Sequence, residues 1–320
     1  MLNKIRKTIE KYNLINEDDK ILIGVSGGPD SMCLLNALQK LGYNICVAHI
    51  NHGLRENAKL EEEYVRQYCQ ENNVPFFVKH VNIKENLNGM SVEEAGRKAR
   101  YEFFYEVCEK EKCSKIATAH TSNDNAETVI MNMIRGSGIK GLRGIEPIRD
   151  DIIRPLIEIT RDEIEKYCDE THLEPKHDES NDELLYTRNK VRLELIPYIE
   201  KNINTNVLNN INRMSSIVSE EENYIERQVQ EAYDKCIVNF CDGLLVCNLK
   251  LFNKQDIVIR KRLVLKFIIK TLGNAKDIEK VHVDDIVKLC ENNVGGKYLT
   301  PKKHIKISVN KGKIQFEKIV

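Results

Sequence analysis

The 320-residue chain contains no run of about 18 apolar residues, so nothing in it reads as a membrane-spanning helix. No two cysteines form a C-x-x-C pair. The ten are scattered at 33, 46, 69, 108, 113, 168, 236, 241, 247 and 290. Cys33, Cys46 and Cys69 fall inside apolar strand or helix patterns, where a thiol packs as a small hydrophobe. That distribution argues against a disulfide framework and against a cysteine-held metal, and it points to a reducing, cytoplasmic setting. The N-terminus is basic but has neither an apolar core segment nor a small-residue cleavage site. It reads as an amphipathic helix and not as a signal peptide. Aromatic residues are only 6% of the chain, with Phe252, Phe267 and Tyr298 in the C-terminal half, so base stacking is not a strong signal there.

Net charge is also missing: 49 basic residues balance 49 acidic ones. This excludes a uniformly basic nucleic-acid coat protein. The balance is a cancellation, however. Residues 1–200 hold 28 basic and 35 acidic residues, a net of −7, and residues 201–320 hold 21 and 14, a net of +7. An acidic front and a basic back suit a polyanionic partner for the back half. The clusters Arg260-Lys261-Arg262, Lys302-Lys303 and Lys311/Lys313 are candidate phosphate contacts.

The first 200 residues alternate strand and helix patterns. Short apolar runs at 21–25, 45–50, 75–80 and 115–120 read as strands. Helical patterns at 31–41, 60–71, 91–111, 125–134 and 160–172 lie between and after them. Ser91 with Glu94, and Thr160 with Glu163, have the spacing of helix-opening capping boxes. The alternation predicts an α/β fold with a doubly wound, Rossmann-like parallel sheet. Residues 135–158 are loop-rich. Residues 201–243 read as a helical connector, and 244–320 as a small α+β domain with strands at 244–249, 305–309 and 313–316.

Directly after the first strand comes Gly24-Val25-Ser26-Gly27-Gly28-Pro29-Asp30-Ser31. Adjacent glycines admit a ligand close to the backbone, and N–H groups at a helix start point at it. This is a phosphate cradle. It is not a Walker A loop, because no Gly-Lys-Ser/Thr follows, and it lacks the Gly-x-Gly-x-x-Gly dinucleotide spacing. Asp124 and Glu127 lie three apart at a helix start, on one face. Such a pair could grip an ammonium group, and one of the two could take its proton. His49, His52 and His120 sit at predicted strand ends without cysteine or carboxylate neighbours at metal-ligand spacing. They read as nucleotide or base contacts or as loop-structural residues, not as a zinc site.

The stretch Ser26–Ser31 resembles the PP-loop (S-G-G-x-D-S) of the N-type ATP pyrophosphatases. That resemblance implies ATP as substrate, bound at Ser26, Gly27, Gly28, Pro29, Asp30 and Ser31 with His49 and His120 nearby. It also implies Mg²⁺ at Asp30. Further motifs follow in order: His49-Ile-Asn-His-Gly-Leu-Arg55, Glu93 to Tyr101, Ala119 to Glu127, and Arg135-Gly-Ser-Gly-Ile-Lys-Gly-Leu142. Then come Arg154-Pro-Leu156, Asp178-Glu-Ser-Asn181, Tyr186 to Arg192 and Leu195-Ile-Pro197. Together, over about residues 20–200, these resemble the tRNA(Ile)-lysidine synthetases. The resemblance implies ligation of free L-lysine to C2 of the wobble cytidine of a tRNA(Ile) with a CAU anticodon, through an adenylated cytidine. It gives Asp124 and Glu127 a role in lysine recognition and places Arg100 near the reacting groups, with Arg97 as the alternative. Arg188, Asn189 and Arg192 become candidate lysine or tRNA contacts, with pairing to Asp178 and Glu179 as the other reading. It suggests a homodimer. Longer family members carry a further C-terminal domain, so the chain reads as a short form or a truncated one. A thiolase of the same fold, or a catalytically silent tRNA-binding protein, is the alternative. The first lacks its cysteine pair here, and the second would have no need of an intact loop and acid pair.

Overall fold

A computed structural model of the chain describes residues 1–51, 58–82, 89, 91–176, 187–292, 297–302 and 304–319. His52, Arg55, Asp178, Glu179, Asn181, Tyr186 and Lys303, all named above, lie outside the described residues. The chain divides into two compact units, Met1–Val218 and Ser219–Val320.

The first unit opens with α1 (Leu2–Lys11), β1 (Lys20–Gly24), α2 (Pro29–Lys40), β2 (Asn44–Asn51), α3 (Ala58–Glu71) and β3 (Phe76–His80). It continues with α4 (Val92–Glu111), β4 (Lys115–Ala117), α5 (Ser122–Ile134), α6 (Ile139–Leu142), β5 (Ile148–Arg149), β6 (Ile152–Ile153) and α7 (Arg161–Glu170). After α8 (Thr187–Lys190) a π-turn over Val191–Leu195 leads into α9 (Ile196–Asn202) and the 30-residue helix α10 (Val207–Cys236). Six strands form one sheet in the order β3-β2-β1-β4-β6-β5, parallel except for β5.

The central strand shows why both faces carry helices. Ile21 and Ile23 enter a core shared with α2 and α7, while Leu22 enters the opposite one with Phe103 and Phe104 of α4. All three strand residues are fully buried, as a two-sided parallel strand requires. At the end of β1 a Cβ on Gly24 would stand 2.4 Å from the Phe104 ring, so only glycine lets α4 pack this close. Both capping boxes read from the sequence form: Ser91 with Glu94 opens α4, and Thr160 with Glu163 opens α7. The β1 and β4 neighbours diverge to opposite sides of the sheet. Their carboxyl ends therefore frame the crevice where such folds take ligands.

Two local features differ from the pattern reading. The loop-rich stretch hides the β5–β6 hairpin, whose strands are two residues long and whose turn places Asp150 at φ +57°. β4 stops at Ala117, and α5 begins at Ser122 because Thr121 and Asp124 form a third capping box. Residues 118–121 are thereby released as a loop at the crevice.

In the second unit, β7 (Ile237–Cys241), β8 (Leu244–Asn248), α11 (Leu249–Asn253), α12 (Ile257–Leu272) and α13 (Lys280–Asn292) precede β9 (Tyr298–Lys302), β10 (Ile305–Asn310) and β11 (Lys313–Lys318). The sheet is antiparallel in the order β7-β8-β11-β10-β9. Its period-two face, Ile305, Ile307, Val309, Ile314 and Phe316, packs on α12 and α13. Phe267 is fully buried, with its ring 5.2 Å from Phe316 and 5.5 Å from Tyr233. Phe267→Ala should cost this unit about 3–5 kcal/mol, the usual range for emptying a packed phenylalanine site. Urea unfolding of the variant reads this directly, and an unchanged midpoint would mean the ring does not anchor the core.

The basic cluster on α12 is tied down internally. Arg260 pairs with Glu291 at 2.7 Å, Lys261 with Asp284 at 2.7 Å, and Arg262 grips the fully buried Glu222 through both terminal nitrogens. All three charges read as phosphate contacts from the sequence face carboxylates instead. No described helix of the chain is long and apolar enough to cross a membrane.

Candidate active site

The loop after β1 is built around its two serines. Ser31, buried at the first turn of α2, donates to the Gly28 carbonyl at 3.0 Å and lies 3.2 Å from the Ser26 hydroxyl. The Ser26 backbone N–H donates to Ser31 Oγ at 3.2 Å. Gly27 takes φ +95°, a conformation that disfavours any side chain, and its carbonyl accepts from Lys176 N–H at 3.0 Å. Gly28 is the N-cap of α2 and offers no side chain to the orphan N–H groups, while Pro29 removes one of them. Backbone amides at such a helix start are the groups that can receive an anion. His49 is buried, and its Nδ1–H donates to the Val25 carbonyl at 2.9 Å. The imidazole thus props the loop from within, and burial lowers its pKa so that it stays neutral.

Asp30 follows Pro29 into the same turn. One carboxylate oxygen stands 3.8 Å from Arg161 at the start of α7. The other is buried and meets no hydrogen-bond donor among the described residues. Burial pushes the Asp30 pKa up to about 6, against the opposing pull of Arg161. A carboxylate oxygen in this condition fits a Mg²⁺ ion shared with nucleotide phosphates, since that ion takes only one or two protein carboxylates. Among the described residues no three His, Cys, Asp or Glu side chains converge to hold a metal by themselves. Asp30 is thus a carboxylate that would hold such an ion together with the phosphates, and the ion would offset phosphate charge.

Across the crevice, α5 carries Asp124 and Glu127. One Asp124 oxygen accepts from the Thr121 N–H at 2.8 Å in the capping box. The other accepts from Arg188 Nη2 at 2.7 Å, while Arg188 Nε donates to Glu127 at 2.7 Å. One guanidinium from α8 therefore bridges both carboxylates, a charge-assisted arrangement. Burial pulls the Asp124 pKa upward, but Arg188 and the Thr121 N–H outweigh it and hold the group below the ordinary carboxylate value. Glu127, only 2% exposed, goes the other way, raised by burial and by the neighbouring Asp124 charge. Environments that push two acids apart in this way mark one as a fixed anion and the other as a proton acceptor. The charges of Arg161 and Arg192 act both on this pair and on Asp30. With Asn123, Glu127 and Glu200 they line a cavity of about 440 Å³.

His120, on the loop after β4, lies 3.0 Å from Thr118 Oγ1. Burial lowers its pKa to about 4, so it is neutral near pH 7. It lines a second cavity together with Arg97, whose guanidinium sits 5.1 Å from the Tyr101 ring centre. Arg100, the helix arginine preferred from the sequence, is exposed on α4 and is not among the residues lining that cavity. Asn189 is half-buried beside Arg188. Arg161 was not singled out by pattern. Its signal was its place directly after the Thr160 cap, which sets it at a helix start beyond the sheet.

A family model described as a PP-loop domain matches residues 1–199. The tRNA(Ile)-lysidine synthase of Clostridium acetobutylicum is 41% identical over 98% of this chain and 69% of its own length. That of Clostridium tetani is 42% identical over 98% of this chain and 68% of its own. The chain belongs to the tRNA(Ile)-lysidine synthase family. It is thus a PP-loop, ATP-dependent ligase, and it spans about two-thirds of the length of these synthases. A solved structure, the U34-tRNA thiolase NcsA from Methanococcus maripaludis with its [4Fe-4S] cluster, covers 68% of this chain and 78% of its own at a TM-score of 0.55 and 22% identity. That likeness shows the shared fold and nothing of the chemistry.

Proposed function

We propose that this synthase-family chain joins lysine to C2 of the wobble cytidine in a tRNA(Ile) bearing the CAU anticodon. The cytidine O2 attacks the α-phosphorus of ATP and pyrophosphate departs. The lysine side-chain amine then attacks C2, and AMP leaves with the former O2. The observation that carries this reading is the acid pair: Asp124 and Glu127 already hold one cationic nitrogen group between them, at 2.7 Å each.

The Ser26–Ser31 loop and the α2 amides receive the departing pyrophosphate. Mg²⁺ at Asp30, when bound, neutralises phosphate charge there. Asp124, kept ionised, fixes the ammonium of the arriving lysine. Glu127, with its raised pKa, takes the proton that must leave before or during attack. Neutral His120 offers a hydrogen bond near the base without adding charge. In this reading Arg188 stands where the substrate ammonium goes and gives way to it.

Glu127→Gln keeps the shape and removes the charge. The KM for lysine should rise on the order of ten- to a hundredfold, the equivalent of one charge-assisted hydrogen bond. An unchanged lysine KM in steady-state assays would remove Glu127 from lysine recognition.

A further inference from the structure

Away from the crevice, three thiols meet on the α4 face of the first sheet. Cys46 of β2 is fully buried, and Cys108, in the last turn of α4, is nearly so. Cys113 follows α4 directly and is half-buried, which makes it the member of the group open to solvent. The Cys46 and Cys113 sulfurs stand 3.4 Å apart, although 67 residues separate them in the chain. The Lys20 ammonium, 2.8 Å from Glu111, interacts electrostatically with both sulfurs. A cation beside a partly exposed thiol is one mark of a reactive cysteine. Elsewhere these features are not combined. Cys236, Cys247 and Cys290 also group together, but each is fully enclosed. Cys241 is exposed, and its thiol donates to Asp242 at 3.2 Å.

Both partners belong to elements that shape the ATP loop. Three residues beyond Cys46, His49 donates to the Val25 carbonyl. One turn before Cys108, Phe104 packs on Gly24 with no room for a Cβ between them. Closing the sulfurs from 3.4 Å to a bond of about 2.05 Å draws β2 and the end of α4 together. Close-packed interiors transmit such a shift. We propose that Cys46 and Cys113 form a reversible redox site, at which a peroxide converts the two thiols to a disulfide and weakens ATP binding. Burial holds the Cys46 and Cys108 thiols above their ordinary pKa, so Cys113 meets the oxidant first. Its thiolate attacks one peroxide oxygen, the O–O bond breaks and hydroxide leaves, giving a sulfenic acid. The Cys46 sulfur then attacks the Cys113 sulfur. The S–S bond forms, the S–O bond breaks, and water departs with the Cys46 proton. The two sulfurs lose two electrons between them, and the peroxide gains them.

The test uses the full chain carrying Cys241→Ser, which removes the exposed thiol that would join two copies. Hydrogen peroxide should leave the protein lighter by two hydrogens, and peptide mapping by mass spectrometry should find Cys46 linked to Cys113. The dissociation constant for ATP, read by titration calorimetry, should rise several-fold. Dithiothreitol should restore both the thiols and the affinity. Adding Cys113→Ser, a change at a half-buried position, should make ATP binding indifferent to peroxide. Oxidation of Cys113 to a sulfinic acid without a link, or a link to Cys108 instead, would overturn the pairing. A Cys46–Cys113 link that leaves ATP affinity unmoved would overturn the coupling to the loop. Equal loss of affinity in the Cys113→Ser protein would place the damage elsewhere and overturn the proposal as well. Because ATP binding is measured directly, none of these outcomes depends on whether lysine is the amine transferred.

Discussion

Asp30→Ala should abolish AMP formation, with a loss on the order of a hundred- to a thousandfold or more in turnover. The side chain sits one residue past the proline that opens α2, faces Arg161, and keeps one oxygen buried without a donor. Nothing else in that turn offers a carboxylate. The same residue should burden the fold. Its pKa is raised from the ordinary aspartate value to about 6. A raised carboxyl pKa means that the folded state binds the proton more tightly than the unfolded one. Its contribution to stability is therefore greatest at pH values below the unfolded pKa and is lost as pH climbs through about 6. In protein free of nucleotide and Mg²⁺, Asp30→Asn should then be more stable than the wild type at pH 8, by up to roughly 3 kcal/mol. The gain should fall to roughly half of that by pH 5 and vanish only below the ordinary aspartate pKa, near 4. Urea unfolding at the two pH values decides this. A gain of equal size at both would mean that Asp30 is not strained by burial. A dead but more stable variant is the expected mark of a site built for function.

Arg188→Ala should separate holding the acid pair from using it. The guanidinium satisfies Asp124 and Glu127 at once, and Glu127 is almost wholly enclosed. Removing it leaves two close carboxylates without their cation, a change that costs about 3–5 kcal/mol for buried pairs. Arg188 is itself only partly buried, so the lower part of that range applies. If lysine takes the place of Arg188, its ammonium repairs the defect. Saturating lysine should then raise the melting temperature of the variant by several degrees more than that of the wild type. The dissociation constant for lysine should tighten, because no internal cation has to be displaced. If the variant loses its lysine response altogether, Arg188 belongs to the lysine site as a partner, not as its stand-in.

The chain shows how far local pattern reaches. Ser26–Ser31 was legible because a phosphate loop is contiguous: glycines, serines and the helix start lie within a few residues. The first four parallel strands were legible because each carries a short apolar stretch, such as Ile21-Leu-Ile23 or Phe76-Phe-Val78, between helical patterns. The β5–β6 hairpin was not, since two-residue strands leave no periodicity to read. Asp124 and Glu127 could be paired from their spacing on one helix. Their partner could not, because Arg188 comes from 64 residues beyond Asp124. The same distance explains Arg161, brought to Asp30 only by the packing of α7 beside α2. It also explains why Arg260, Lys261 and Arg262 looked available for phosphate when Glu291, Asp284 and Glu222 hold them.

Incubating the full chain with tRNA(Ile) bearing CAU, ATP and labelled lysine tests the central claim most directly. The account predicts that label enters the tRNA mole for mole with the release of AMP and pyrophosphate. Conversion of ATP to AMP with no label in the tRNA would contradict it.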